Sequence, residues 1–325
     1  MSDLWRFDYQ YSSWRQIPPT GPQPSPRAFT TLSTVTVNGK AQMVMMGGRL
    51  AWRSLCIVIH SDMWVLNAQT LAWTNVTTQV QGAPVPSLWG HTAAVLDNVI
   101  YYFGGSTVNV CLGSSATFGM GPPSGDLYIY DPQTKYLSKV AQPANAAPGT
   151  WCPSRGLHVA AAINPGSADA PSAMMVAGGI CVTDVIVDGQ PAPAVCNDTW
   201  LYTPNTSTWR LLPQDRPFDR FLPSQAAVTN MPHQQVWSFG GMPSMTDFVE
   251  FNASSATFVF TSSTLQWQLI EYTDVASWPP GCTSPTLAAV TESIMVFFGG
   301  FSFNGQLDNT WFGDKGVKGG GGNLR

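Results

Sequence analysis

The feature that most constrains this chain is a short apolar run ending in a pair of glycines, which recurs five times. Each run has the length of one buried strand, and the glycines after it permit positive φ and a close approach of neighbouring backbone. Such repetition predicts an architecture in which every copy forms the same small unit. The ten glycines with this predicted structural role are Gly47, Gly48, Gly104, Gly105, Gly178, Gly179, Gly240, Gly241, Gly299 and Gly300.

A second signal follows each glycine pair, an aromatic strand opened by a polar residue and an aspartate. Ser61-Asp62-Met63-Trp64 is a clear copy, and Ser2-Asp3-Leu4-Trp5 repeats it at the N-terminus. Another aromatic recurs nine residues later, as Trp73 does after Trp64. Two short strands joined by a tight turn account for this spacing. The aspartates are predicted to cap turns through backbone hydrogen bonds.

A third signal, a strand of small residues, precedes each apolar run. His91-Thr-Ala-Ala-Val and Leu287-Ala-Ala-Val are examples. Each repeat is therefore predicted to be a meander of four strands: a small-residue strand, an apolar strand ending in Gly-Gly, an aromatic strand, and an outer strand that usually carries tryptophan.

This order of motifs resembles the kelch repeat over about residues 2–313. The resemblance implies an all-β fold, a kelch-type β-propeller of four-stranded antiparallel blades. Five repeats are recognisable, and residues 2–18 supply only the outer half of another blade. A six-bladed propeller, incomplete in this chain, is favoured, and a five-bladed ring closed by the termini is the alternative. We predict a propeller domain over residues 1–313 and a flexible glycine-rich tail over residues 314–325.

Composition and motifs exclude several classes of function. Charged residues make up 10% of the chain and the net charge is −4, so no basic field is available for nucleic acid. No apolar stretch has the length of a membrane helix, which argues against direct membrane insertion. The four histidines lack close metal-ligand spacing, and no nucleophile elbow or phosphate loop is present. We therefore predict no catalytic residue, no metal and no cofactor.

Cysteines and glycosylation sequons bear on the compartment. Cys181 and Cys196 bracket one long loop and are candidates to close it as a disulfide, Cys111 with Cys152 is a candidate second pair, and free buried cysteines are the alternative. Four sequons begin at Asn75, Asn197, Asn205 and Asn252. Together these features favour a secreted protein or an extracellular ectodomain, and a cytoplasmic location remains the alternative.

The longest predicted loops, which carry the cysteines, lie on one face of the repeats, and such a face is where binding residues concentrate. The candidates there are Arg27, Trp89, Trp151 and Arg155. Each has a second interpretation, a salt bridge or backbone contact for the arginines and loop packing for the tryptophans. We predict a non-enzymatic recognition module that binds a protein or glycan through this face. The alternatives are a carbohydrate-active enzyme using the axial pocket, as in some kelch-like propellers, and a structural repeat domain of an extracellular assembly.

Overall fold

The computed structural model describes residues 3–50, 58–107, 122–164, 172–187, 190–224, 227–229, 234–245, 252–270, 279–291, 294–314 and 323–324. The chain divides into two compact units. Unit 1 comprises Met1–Asn145 with Pro153–Gly156, and unit 2 comprises Ala146–Cys152 with Leu157–Arg325.

Unit 1 contains a hairpin and two larger sheets. The antiparallel hairpin consists of β1 (Leu4–Asp8) and β2 (Ser13–Ile17). Sheet A has four antiparallel strands in chain order, β3 (Thr31–Val37), β4 (Lys40–Met46), β5 (Met63–Asn67) and β6 (Trp73–Asn75). A 3-10 helix (Thr77–Gln79) and strand β7 (Gln81–Gly82) follow. Sheet B consists of β8 (Thr92–Leu96), β9 (Val99–Phe103), β10 (Leu127–Asp131) and β11 (Tyr136–Val140), with β7 added in parallel beside β11. The two-residue strand β12 (Arg155–Gly156) completes unit 1.

Unit 2 contains three more four-stranded sheets with the same neighbour order. Sheet C consists of β13 (Val159–Ile163), β14 (Ala173–Ala177), β17 (Thr199–Thr203) and β18 (Thr208–Leu212). A hairpin of β15 (Ile180–Val187) and β16 (Gln190–Val195) is inserted between β14 and β17. Sheet D consists of β19 (Ala227–Thr229), β20 (Gln235–Phe239), β21 (Thr257–Thr261) and β22 (Gln266–Ile270). Sheet E consists of β23 (Thr286–Ala289), β24 (Ile294–Phe298), β27 (Thr310–Asp314) and β28 (Asn323–Leu324), with the small hairpin β25 (Phe301–Ser302) and β26 (Gly305–Gln306) between β24 and β27.

The prediction of an all-β chain built from small antiparallel meanders is confirmed. In all five sheets, the apolar strand ending in Gly-Gly lies between the small-residue strand and the aromatic strand. Within the predicted tail, Asn323 and Leu324 pair with Trp311 and Thr310 as the fourth strand of sheet E. No helix in the described part of the chain is long and apolar enough to cross a membrane.

The glycine pairs are required by close backbone approach as well as by conformation. Gly47 has φ +64°, and a Cβ added there would lie 2.3 Å from the carbonyl oxygen of Leu88. The next residue, Gly48, donates its N–H to that same carbonyl at 2.8 Å. Only a residue without a side chain leaves room for this contact, so the motif connects one sheet to the segment that leads into the next.

Three of the aspartates that open aromatic strands accept a hydrogen bond from an indole, a role that the sequence did not predict. The Nε1 atoms of Trp5, Trp64 and Trp200 each donate a 2.7 Å hydrogen bond to the aspartate two residues earlier. Asp126, whose strand carries tyrosine instead, pairs with Lys139 and accepts the N–H of Gln142. The motif therefore orients the aromatic ring at the start of the strand.

The second aromatic of each spacing packs across the hairpin. Trp14 lies opposite Phe7, Trp209 opposite Tyr202 and Trp267 opposite Phe260, with ring centroids 4.9 to 5.3 Å apart. The cores of the two units are built from such aromatics together with the aliphatic residues of the inner strands, as in the cluster of Val44, Met46, Ile100 and Tyr130 in unit 1. Burial of this apolar surface provides the main stabilisation of each unit.

A left-handed residue precedes the first strand of every sheet, and no sequence signal predicted it. The five residues are Phe29, Gly90, Leu157, Leu222 and Ser284, with φ between 49° and 66°. Within each unit they form a backbone ladder, since Gly90 donates to the carbonyl of Phe29, Leu222 to that of Leu157, and Ser284 to that of Leu222. A left-handed non-glycine residue costs about 1 to 2 kcal/mol, which these hydrogen bonds offset.

Candidate functional site

The glycine pairs of sheets A and B mark one end of these sheets, which we call the Gly-Gly end of unit 1. The connections 47–62 and 104–126 both leave and re-enter the sheets at this end. Its backbone is tied together by the N–H of Gly48 on the carbonyl of Leu88 and the N–H of Gly105 on the carbonyl of Arg155, both at 2.8 Å. Side chains attached here are therefore held by a rigid frame.

Arg27 forms an ion pair with Asp62 at this end. Its two terminal nitrogens bind the two carboxylate oxygens of Asp62, with 2.9 Å between Nη2 and Oδ2, and Nη1 also donates to the carbonyl of Gly47. Burial opposes ionisation of Asp62, but hydrogen bonds from Arg27 and Trp64 outweigh it and hold the pKa of this carboxyl below its ordinary value. Arg27 is thus engaged in an internal salt bridge.

Arg49 occupies an aromatic sandwich that sequence reasoning missed. Its guanidinium lies 4.2 Å from the ring centroid of Trp89 and 4.8 Å from that of Phe29. Burial lowers the pKa of Arg49 to about 10, so the group keeps its charge at neutral pH. Cation–π contact stabilises such a desolvated cation. In the sequence, the feature that could have indicated this sandwich is the position of Arg49 directly after a glycine pair.

Trp89 and Arg155 lie in the interior, which agrees with the second interpretation of these two candidates, loop packing for the tryptophan and a backbone contact for the arginine. Trp89 is 1% exposed because Arg49 and Phe29 cover it, and its backbone pairs with Ser106. Arg155 is fully buried, and its Nε donates to the carbonyl of Pro153 at 3.2 Å. Both residues support the frame of the Gly-Gly end and neither presents its side chain to solvent.

Trp151, the fourth binding candidate, lies in unit 2 and is half-buried, with its ring centroid 6.1 Å from that of Trp209. The structure therefore brings Arg27, Trp89 and Arg155 into unit 1 and places Trp151 in the other unit. Two further tryptophans of the predicted loops, Trp52 and Trp278, lie outside the described residues.

His91 of unit 1 is a core residue. His91 is buried beside Tyr102, and a 3.1 Å hydrogen bond joins its Nε2 to Oγ1 of Thr31. Burial lowers the pKa of His91 to about 3, so the ring stays neutral. Among the described residues, no three His, Cys, Asp or Glu side chains come together as metal ligands would.

The cysteines and sequons are placed as follows. Cys181 and Cys196 form a disulfide that closes the β15–β16 hairpin, which is the pairing predicted from the loop. Cys152 is buried, and its predicted partner Cys111 lies outside the described residues. Burial raises the pKa of the Cys282 thiol to about 12, which makes it a poor nucleophile. All four sequon asparagines, Asn75, Asn197, Asn205 and Asn252, are exposed.

Comparison with known proteins identifies the repeat. The model of the KLHDC2/KLHL20/DRC7 kelch-repeats domain matches residues 1–241. This chain belongs to the kelch-repeat domain family. Kelch-repeat domains are typically protein-binding modules, and the repeat implies a propeller arrangement of the sheets.

Two curated relatives share part of the kelch region. The chain is similar to multiple epidermal growth factor-like domains protein 8 from rat, with 26% identity over 252 residues, and from mouse, with 26% identity over 250 residues. Each match covers 67% of this chain but 9% of the relative, so the kelch domain corresponds to a small part of those long proteins.

Proposed function

We propose that this kelch domain is a non-enzymatic recognition module that binds an acidic segment of a partner protein at the Gly-Gly end of unit 1. The observation that carries the proposal is the Arg49 sandwich, a charged guanidinium held between Trp89 and Phe29 on a rigid frame. Long connections that leave a rigid scaffold at one end are a common site of recognition. Arg49 is itself buried, at 6% exposed, so its charge would favour a carboxylate-bearing partner through the electrostatic field at this end rather than through direct contact.

An exposed apolar residue lies next to this arginine. The N–H of Leu50 donates to the carbonyl of Val58, and Val58 is 48% exposed. A partner that contacts this end would cover Val58 as it approaches Arg49, and an apolar contact beside a buried charge is the arrangement found at protein interfaces.

Peptide selection on the purified chain tests this proposal. A phage-displayed random peptide library is expected to yield acidic peptides, and their affinity is expected to fall about tenfold or more in Val58→Asp, since a carboxylate there repels them and removes an apolar contact. Tyr136→Asp is the matched control, because Tyr136 is 51% exposed at the opposite end of sheet B.

Two results would overturn the proposal. One is a set of selected peptides without acidic character, and the other is equal loss of binding in both variants. A glycan array probed with the unsubstituted chain and with both variants tests the alternative of a glycan ligand. A glycan ligand would be shown by binding to sugars that Val58→Asp reduces and Tyr136→Asp leaves unchanged.

We also propose that the repeats form the blades of a six-bladed propeller. The five sheets are five copies of the motif, and the N-terminal hairpin corresponds to the outer half of a sixth. Asn323 and Leu324 already fill the outer position of sheet E, which leaves no place there for the hairpin. This supports six blades over the five-bladed alternative, and an experimental structure that counts the sheets around the axis tests it.

An extracellular location is proposed as well. The Cys181–Cys196 disulfide, the four exposed sequon asparagines, and a likeness to proteins named for growth factor-like domains, which are disulfide-built modules, support it. The test is intact mass after alkylation with and without reductant, on protein purified from its own cells. We expect Cys181 and Cys196 to be alkylated only after reduction, and alkylation of all six cysteines without reductant would contradict the proposal.

A further inference from the structure

A histidine lies beside the exposed apolar residue of the Gly-Gly end. The N–H of His60 donates to the carbonyl of Gly48 at 2.8 Å, and the N–H of Leu50 donates to the carbonyl of Val58, so the two segments pair antiparallel. Side chains alternate along a paired segment. Ile59, between the two, is buried, whereas Val58 is exposed and His60 is half-buried. Val58 and His60 therefore share the outer face of this segment, where a partner would approach.

Among the described residues, charged groups from three segments lie around His60. Arg27, which precedes β3, and Asp62, which precedes β5, both interact electrostatically with the imidazole, and Arg27 has the larger effect. Arg49, from the segment paired with His60, holds its charge on the inner face between aromatic rings. The carboxylate of Asp62 is already engaged, because it accepts hydrogen bonds from both terminal nitrogens of Arg27 and from the Trp64 indole. The field at His60 is therefore positive.

The free chain disfavours the charged form of His60. Burial of the ring and the charge of Arg27 lower the pKa of His60 below its ordinary value of 6.5, and Asp62 opposes them only in part. The Nε2 atom is buried and has no hydrogen-bond partner in the described part of the chain. A protonated imidazole carries a hydrogen on both nitrogens. Protonation would therefore leave a buried charged donor without an acceptor, which is costly, and the ring is neutral at neutral pH.

We propose that His60 is a pH sensor for the Gly-Gly end of unit 1, so that an acidic partner binds more tightly as the pH falls; this inference rests on the proposed function above. A carboxylate that approaches Val58 faces the exposed part of the imidazole and offsets the repulsion from Arg27. The charged form of His60 is thereby more stable in the complex than in the free chain. By linkage, the gain in affinity is complete below the pKa of His60 in the free chain and is lost as the pH rises through its higher pKa in the complex.

The first test uses an acidic peptide recovered by the selection at pH 7.5. Calorimetric titration of the unsubstituted chain should give a Kd about fivefold lower at pH 5.5 than at pH 7.5. His60→Gln keeps a polar side chain but gains no charge in this range, so its Kd should be the same at both pH values. A version of the peptide with amides in place of its side-chain carboxylates is the control, and its binding should not strengthen as the pH falls.

A second test needs no partner. Val58→Asp places a carboxylate on the outer face two residues from His60, about 7 Å along the segment, and Val58→Asn is the matched control of similar shape without the charge. NMR titration of the histidine ring should give a higher pKa of His60 in Val58→Asp than in Val58→Asn. An equal pKa in the two variants would overturn the proposal, because a carboxylate on this face would then have no effect on the ring.

The sensor and the proposed function fail in different ways. Acidic peptides whose affinity is the same at pH 5.5 and pH 7.5, or whose pH dependence persists in His60→Gln, would overturn the role of His60 and leave the acidic partner in place. Selected peptides without acidic character would overturn the proposed function, and the sensor with it. A fivefold gain that is lost in His60→Gln, together with the higher pKa in Val58→Asp, would support both.

Discussion

The close contact between a glycine pair and the next segment makes a quantitative prediction for Gly47→Ala. The substitution places a Cβ 2.3 Å from the Leu88 carbonyl oxygen at a residue with φ +64°. The left-handed conformation costs alanine about 1 to 2 kcal/mol. Displacing the carbonyl breaks the hydrogen bond from Gly48, at about 1 kcal/mol, and the overpacked contact adds about 1 to 3 kcal/mol. We expect a total loss of about 4 kcal/mol.

Gly39→Ala separates the two contributions. Gly39 has φ +74° in the turn between β3 and β4, and a Cβ there meets nothing within 4 Å. It should therefore lose about 1 kcal/mol, from conformation alone. Urea denaturation followed by tryptophan fluorescence gives both values from the midpoint and slope. Equal losses in the two variants would refute the reasoning, because the carbonyl contact would then add nothing to the conformational cost.

Three further predictions follow from single contacts. As the pH decreases below about 6.5, the unfolded chain binds a proton at His91, whereas the folded chain, in which the pKa of His91 is about 3, does not, so the free energy of unfolding decreases. In denaturant titrations His91→Gln should remove about 2 kcal/mol of this decrease between pH 6.5 and pH 5. Cys181→Ser removes the disulfide that closes the β15–β16 hairpin and should lower the free energy of unfolding by up to about 3 kcal/mol relative to the oxidised wild type. The reduced wild type, which also lacks the disulfide, is the control. At the edge of sheet D the side-chain amide of Gln214 takes the place of a neighbouring strand, because it donates to the carbonyl of Leu265 and accepts from the N–H of Trp267. Gln214→Ala should therefore speed hydrogen exchange of the Trp267 backbone amide about tenfold. An unchanged exchange rate would show that the contact is not formed in solution.

Much of the fold was predictable because it follows from local patterns. A pair of glycines such as Gly47 and Gly48 after an apolar run identifies one strand and its end. The spacing between Trp64 and Trp73 identifies a hairpin. Repetition then extends each assignment along the chain, since equivalent residues make equivalent contacts in the five sheets. The Cys181–Cys196 disulfide was predictable for the same reason, because the pair closes a local loop.

The candidate site was much less predictable because it depends on residues that are distant in the sequence. Trp89 was expected among loop residues, but Arg49 and Phe29 cover it. The partner of Arg27 is Asp62, an aspartate that the repeat had suggested was a turn cap. Neither contact leaves a periodic signal, because burial of one side chain is decided by what three separate segments place around it.

By itself, the sequence determined that this chain is all-β, that its unit is a four-stranded meander, and that the glycine pairs end the second strands, because short-range spacing and backbone sterics decide these features. Only the tertiary structure decided which arginine is held between aromatic rings and which tryptophans are buried. These features depend on the three-dimensional packing of distant segments, since the neighbours that cover an indole or an arginine are far from it in the sequence.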